Sequence, residues 1–283
     1  TNIEIVKTIN NGKVHIKEPN LEKIVHESIT SKSFSAQSIP SKADIFIITV
    51  PTPFFASNTG IPKPNINHIK SAARSISKVI EPGNLVIIES TSPVGTTKKI
   101  TKLILDETSL NKGDLKIAYC PERVLPGKIL EELVSNDRVV GGVNTKSSLA
   151  SESFYKTFCK GKIHITNSET AEMVKLSENA YRDINIAYAN ELSMICTSAS
   201  IEVNELISLA NKHPRVNILK PGCGVGGHCI AVDPWFIASA EPNKTDLIQA
   251  ARLVNEKKTL WVINKIKEKV NNIENMDQKK ISI

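Results

Sequence analysis

The apolar residues change their period part-way along the chain. Asp44-Ile-Phe-Ile-Ile-Thr-Val50, Leu85-Val-Ile-Ile88 and Leu115-Lys-Ile-Ala-Tyr119 are short apolar runs that predict strands. Arg138-Val-Val-Gly-Gly142 and Ile163-His-Ile165 add two more. Between the runs, apolar residues recur at helical spacing. Ile66, Ile69, Ala73, Ile76 and Ile80 predict a helix over 65–80, and others are predicted over 1–11, 95–110 and 147–159. Strands that are apolar on both faces and alternate with helices imply a parallel sheet covered on both sides. The expected class is α/β, with a Rossmann-like, doubly wound sheet.

The pattern then becomes all-helical. Ser168 to Ser200 contains neither Gly nor Pro, and Ala171, Val174, Ala180, Ala187, Leu192 and Ile195 predict one long central helix. Two more helices are predicted over 202–211 and 245–270. A helix well beyond the common range of about 8–20 residues often connects domains or packs across a dimer axis. The expected organisation is a sheet domain over 1–167, a helical dimerisation and catalytic domain over 168–272, and a linker with the first strand of a further domain over 273–283.

Charge and cysteine content narrow the partners. The net charge is +7, but the basic residues are scattered among nearly as many acids. No basic run is interleaved with aromatics, so nucleic acid is not an expected partner. No apolar run approaches the roughly 20 residues of a membrane span. The five cysteines form no disulfide framework, which points to a reducing cytoplasm. Cys223, His228 and Cys229 lack the second ligand cluster of a zinc site, and no metal is expected.

The densest chemical signal is Pro221-Gly-Cys-Gly-Val-Gly-Gly-His-Cys229, followed by Asp233. Glycines there allow positive φ and close approach to a ligand. A helix starting near Cys229 would set the thiol and Asp233 on one face and favour a thiolate. The alternative is a tight loop with a buried structural cysteine. Polar segments also follow three predicted strands, where open parallel sheets bind ligands: Thr49–Pro53, Glu89–Thr97 and Cys120–Arg123. The helix start near Gly95 can hold an anion. Glu122 is a candidate general base, or else a surface partner of Arg123. Lys175 and Asn179 share one face of the long helix and can stabilise an oxyanion, unless that face is merely solvated. Arg182 and Asp183 read as structural.

Assembled, these residues resemble the nucleotide-sugar dehydrogenase family, which includes the UDP-glucose and GDP-mannose dehydrogenases. The resemblance rests on Gly224-Val-Gly-Gly-His-Cys-Ile-Ala-Val-Asp-Pro-Trp-Phe236, Cys120-Pro-Glu-Arg-Val-Leu-Pro-Gly127 and Asn136-Asp-Arg-Val-Val-Gly-Gly142. His228 and the Ala-Val-Asp-Pro-Trp ending look like the N-acetylmannosamine branch. The resemblance implies a four-electron oxidation of the C6 alcohol of UDP-N-acetylmannosamine to a carboxylate, with two NAD used in turn. It implies Cys229 as nucleophile, forming a thiohemiacetal and then a thioester. It implies Lys175 and Asn179 as oxyanion stabilisers, Asp233 as the carboxylate working with the lysine and a water, Glu122 in thioester hydrolysis, and Thr91 beside cofactor and water. Val50, Pro51, Thr52, Thr91 and Glu122 would line NAD. Arg123, Val124, Lys175, Asn179, Gly226, Gly227 and His228 would line the substrate, with Arg215 offered by a partner subunit. The long helix would form a homodimer.

Two departures stand out. The glucose branch has a second glutamate four residues after the position of Glu122, and Pro126 stands here, so a two-glutamate relay is not expected. The family's opening strand, glycine-rich turn and acidic ribose ligand are also not found, so the chain reads as a fragment. Other expectations are therefore a catalytically inactive remnant that folds and dimerises, or an enzyme acting on UDP-N-acetylglucosamine or UDP-glucose.

Overall fold

A computed structural model describes residues 2–55 and 60–271, and the linker and strand expected over 273–283 lie outside them. In chain order the elements begin with α1 (Ile3–Asn10), α2 (Leu21–Thr30), β1 (Ile45–Ile48), β2 (Phe54–Phe55), β3 (Lys63–Pro64) and α3 (Asn67–Ser77). Next come β4 (Leu85–Ile88), α4 (Thr96–Asp106), β5 (Lys116–Tyr119), α5 (Ile129–Ser135), β6 (Arg138–Gly142) and α6 (Thr145–Tyr155). The chain continues through β7 (Ile163–Asn167), α7 (Ser168–Ala199), α8 (Val203–Ala210), α9 (Asp233–Ala240) and α10 (Asp246–Asn271). Two compact units result: one from residues 1–52 and 65–175, the other from 53–64 and 176 onward. The division falls inside α7, after Lys175.

The first unit holds a five-stranded sheet in the order β1-β4-β5-β6-β7. The unbroken apolar run Leu85–Ile88 is buried at every position because it is sandwiched from both sides. Val86 and Ile88 meet Ile69, Ile76, Ile100 and Ile104 on one face, while Leu85 and Ile87 meet Ala118, Val140 and Tyr155 on the other. Burying each such side chain fully contributes roughly 1.5–3 kcal/mol.

Two strands depart from the expected parallel sheet, because β6 turns back and β7 runs parallel to β6. β6 pairs antiparallel with β5, through Ala118 with Gly142 and Tyr119 with Gly141. The reason lies in the connection. Asn136 Nδ2 donates to Arg123 O at 3.1 Å, and Arg123 Nη1 donates to Asp137 O at 3.3 Å. The chain leaving β5 and the chain entering β6 are thus clipped side by side, and β6 must run back. Gly141 and Gly142 permit this packing: a Cβ at Gly141 would lie 2.3 Å from Asn167 O, and one at Gly142 2.5 Å from Ser148 N.

Among the described residues, the regular structure of the second unit is helical except for the short antiparallel ribbon of β2 and β3. Within it α9 packs against both β3 and α10. The sequence pattern predicts no helix at α9. Its Asp233, Pro234, Trp235 and Phe236 are buried in succession rather than on one face, so it has no amphipathic period to read. Among the described residues, no helix is long and apolar enough to cross a membrane.

Candidate active site

The polar segments expected at the strand ends of the first unit follow β1, β4 and β5. After β1, Val50 and Thr52 are partly buried and Pro51 is exposed. After β4, Ser90 donates to Ile48 O at 3.2 Å and Ser92 to Ser90 O at 2.7 Å, which spends both hydroxyls on the main chain. The half-buried Thr91 stands between them.

The start of α4 does not await an outside anion. Glu172, fully buried on α7, accepts from Gly95 N at 2.5 Å, from Thr97 N at 2.7 Å and from Thr97 Oγ1 at 2.6 Å. The protein supplies its own carboxylate to the positive end of that helix, correcting the expectation of a free anion site. Burial raises the Glu172 carboxyl above its ordinary value, against the pull of these three bonds. The sequence gives little warning of this pairing, since 75 residues separate Thr97 from Glu172. One hint is that Glu172 lies three residues before Lys175, on a neighbouring position of the same helix.

After β5, Glu122 Oε1 accepts from the Arg123 amide at 2.6 Å, and Lys175 Nζ donates to Glu122 O at 2.6 Å. Lys175 is therefore drawn to the loop backbone rather than pointing into solvent. The same loop is anchored further along by Glu18, missed in the sequence, which accepts from Gly127 N and Ile129 N, both at 2.8 Å.

In the second unit Asn179 and Asp233 are both buried, and Asn179 Nδ2 donates to Asp233 Oδ2 at 2.5 Å. The solvated helix face considered for Lys175 and Asn179 is thus not what forms. Cys229 is exposed, which removes the buried structural cysteine as an account of the loop. The helix that follows this loop begins at Asp233 rather than at Cys229, with Pro234 in its first turn, so the condition for the thiol and Asp233 to share a helix face is not met. Cys229 sits one turn upstream, its carbonyl accepting from Val232 N at 3.0 Å and Asp233 N at 2.9 Å. Gly226, Gly227 and His228 are exposed beside it. Arg215 is exposed on a loop closed by Asn211, whose side chain donates to Ile218 O at 3.0 Å and accepts from Ile218 N at 2.7 Å.

Fold and side chains together define a two-unit protein with a parallel-dominated sheet unit and a helical unit bearing an exposed thiol near a buried amide–carboxylate pair. Residues 1–159 match the NAD binding domain of the UDP-glucose/GDP-mannose dehydrogenase family, and residues 169–257 match its central domain. The chain belongs to the UDP-glucose/GDP-mannose dehydrogenase family. It is 51% identical over 280 residues to the UDP-N-acetyl-D-mannosamine dehydrogenase of Campylobacter jejuni, covering 96% of this chain and 68% of that protein. It is 48% identical to the NDP-N-acetyl-D-galactosaminuronic acid dehydrogenase of Ralstonia nicotianae, covering 94% of this chain and 64% of that protein. The structure of UDP-D-ManNAc dehydrogenase from Pyrococcus horikoshii superposes with a TM-score of 0.89 at 40% identity, covering 95% of this chain and 64% of that one. The chain thus spans about two thirds of the length of these relatives.

NAD is the cofactor for which the matched first domain is named. The strand ends fit part of such a cofactor: β1, β4 and β5 run parallel, and Val50, Thr91 and Glu122 follow their carboxyl ends in the loops where an open sheet receives a dinucleotide.

Proposed function

We propose that this chain carries the catalytic parts of an NAD-dependent 6-dehydrogenase that oxidises UDP-N-acetyl-D-mannosamine to UDP-N-acetyl-D-mannosaminuronate. The observation that carries the reading is the buried 2.5 Å bond of Asn179 to Asp233, with Asp233 closing the turn that begins at exposed Cys229. The names of the relatives supply the substrate class.

When bound, NAD would supply the hydride acceptor in each of two rounds, so that one alcohol, two NAD and one water would give one carboxylate, two NADH and three protons. Lys175 and Asn179 stabilise the alkoxide in the first round by ammonium charge and amide N–H. Asp233 holds the Asn179 amide in one orientation and accepts a proton from Lys175 through water. Cys229 Sγ then forms a bond to the aldehyde carbon, giving a thiohemiacetal whose oxyanion meets the same two donors. Loss of the second hydride turns it into a thioester. Water adds to that carbon with Glu122 assisting, the C–S bond breaks, and the thiol returns on Cys229. Val50, Pro51, Thr52 and Thr91 flank the cofactor, with Thr91 also near the reacting water. Arg123, Val124, Gly226, Gly227 and His228 contact the sugar nucleotide.

A homodimer belongs to the same proposal. Tyr181, Tyr188 and Ile195 recur every seven residues on α7 and are 70%, 54% and 56% exposed, an apolar line that a second copy would cover. The second copy would offer Arg215. Five free cysteines suit a reducing cytoplasm.

Cys229→Ser tests the chemistry. A serine alkoxide is harder to generate, so the variant should accumulate a slowly hydrolysed sugar ester on the peptide containing residue 229, visible by mass spectrometry. Cys229→Ala should carry no adduct, and acid formation at the native rate by Cys229→Ala rules out the thioester route. A panel of UDP-sugars differing at C2 and C4 separates N-acetylmannosamine from N-acetylglucosamine, glucose and the galacto sugar of the Ralstonia relative.

A further inference from the structure

Asn190 on α7 and Asn255 on α10 are fully buried and face one another. Asn190 Nδ2 donates to Asn255 Oδ1 at 2.8 Å. Asn255 Nδ2 donates to the Asp183 main-chain carbonyl at 3.1 Å and to Asp183 Oδ1 at 2.8 Å. Arg252 Nη1 donates to the same carboxylate oxygen at 2.7 Å. At the far end Asn190 Oδ1 accepts from Gly222 N at 2.8 Å.

Donor and acceptor inventory gives this chain one polarity. An ionised carboxylate only accepts, so Asn255 must turn its NH2 to Asp183. Its oxygen then faces Asn190, which must answer with its own NH2, leaving the Asn190 oxygen for the loop amide. The next two loop residues are gripped as well. Thr259 Oγ1 donates to Cys223 O at 2.9 Å. Gly224, at φ +127°, lies so close to α10 that a Cβ there would be 2.1 Å from Thr259 Oγ1 and 3.1 Å from Asn255 O. Beyond this point a Cβ at Gly226 or Gly227 would meet nothing within 4 Å.

Burying this many polar groups between two helices is expensive compared with apolar packing, and the more so here because Asp183 Oδ2 and Arg252 Nε are buried without a hydrogen-bond partner among the described residues. The relay also does not end on another helix. It ends on the backbone of the glycine loop, five to seven residues before Cys229. Glycines do little to fix a loop's path, so the direction in which the loop leaves must be set from outside.

We propose that Asn190 and Asn255 are positioning residues, which fix the base of the glycine loop against α7 and α10 so that Cys229 is presented in one attack geometry. The proposal rests on the reading of Cys229 as nucleophile. A thiol displaced by about 1 Å costs on the order of 100-fold in rate. The loss should fall mainly on kcat, because the anchor itself touches neither sugar nor nucleotide, with a smaller effect on KM through Gly226, Gly227 and His228 further along the same loop.

The test combines hydrogen exchange with steady-state kinetics on Asn190→Ala and Thr259→Val. Thr259 is exposed, and Val keeps its shape while removing only the bond to Cys223 O, so this variant decides the matter if Asn190→Ala does not fold. Asn190→Ala should raise amide exchange over residues 219–229 by about tenfold or more, with peptides from α3 and α4 unchanged. Its kcat should fall by roughly 10–100-fold with KM for the UDP-sugar within about threefold. Thr259→Val should show the same split at about 3–10-fold. Unchanged loop exchange, faster exchange with an unaltered kcat, or a loss carried by KM each overturns the proposal. Failure of the nucleophile reading looks different: Cys229→Ala would then form acid while loop exchange in the unaltered protein stays protected.

Discussion

Two cysteines show how differently one side chain is set up in the two units. Cys120 directly follows β5, at the carboxyl end of the strands where ligand chemistry belongs, yet it is fully buried in the cluster with Leu85, Ile87 and Tyr155. Arg138 Nη1 lies 3.9 Å from its sulfur and favours a thiolate, as does the Tyr155 hydroxyl. Burial outweighs both and pushes the thiol up to about 11. Cys229 lies on a glycine loop in open solvent, one turn before a buried carboxylate. Position on a functional edge is therefore not enough to make a thiol reactive. Access and a partner group decide.

The comparison can be broken most sharply by removing each sulfur. Cys229→Ala should lower acid formation by roughly 10⁴-fold or more, while Cys120→Ala should leave the rate within about threefold. Comparable losses would erase the distinction. Next in size is Asn179→Ala, which removes an oxyanion donor and leaves Asp233 without its 2.5 Å partner. Its kcat should drop by about 10²–10³-fold in NADH production. Competitive labelling with iodoacetamide at pH 8, read peptide by peptide, should modify exposed Cys229 at least about 100-fold faster than Cys120, whose sulfur is buried and whose thiol is pushed up to about 11.

The smallest effect is on stability at high pH. The folded thiol of Cys120, at about 11, lies above its unfolded value of 9.0. Its contribution is therefore complete below pH 9 and is lost as pH rises through 11. The loss should amount to on the order of 2 kcal/mol by pH 11. Denaturant melts of the wild type against Cys120→Ala should converge over that window. Parallel pH profiles would show that the buried thiol does not titrate this way.

Much of this frame is legible from the sequence, for physical reasons. Leu85–Ile88 reads as a strand because a buried central strand is apolar at every position, and α7 reads as one helix because nothing in it breaks a helix. The parallel-dominated sheet and helical second half follow. The direction of β6 does not, because it is set by a side-chain clip between Arg123, Asn136 and Asp137 rather than by any apolar period. Lys175, Asn179 and Asp233 stand out as polar residues at helical spacing or beside the glycine loop, and Cys229 by the loop itself. Glu172, Glu18, Asn190 and Asn255 do not stand out. Each acts on backbone or amide groups brought close only by folding, and a lone polar residue in a helix looks like any solvated one until its partner is known.

The most direct measurement is the number of NADH molecules released for each UDP-N-acetylmannosamine consumed. Two NADH with a uronate product is the predicted result, since the thioester on Cys229 can only arise from a second hydride loss. One NADH with free aldehyde, or none from folded protein, would contradict it.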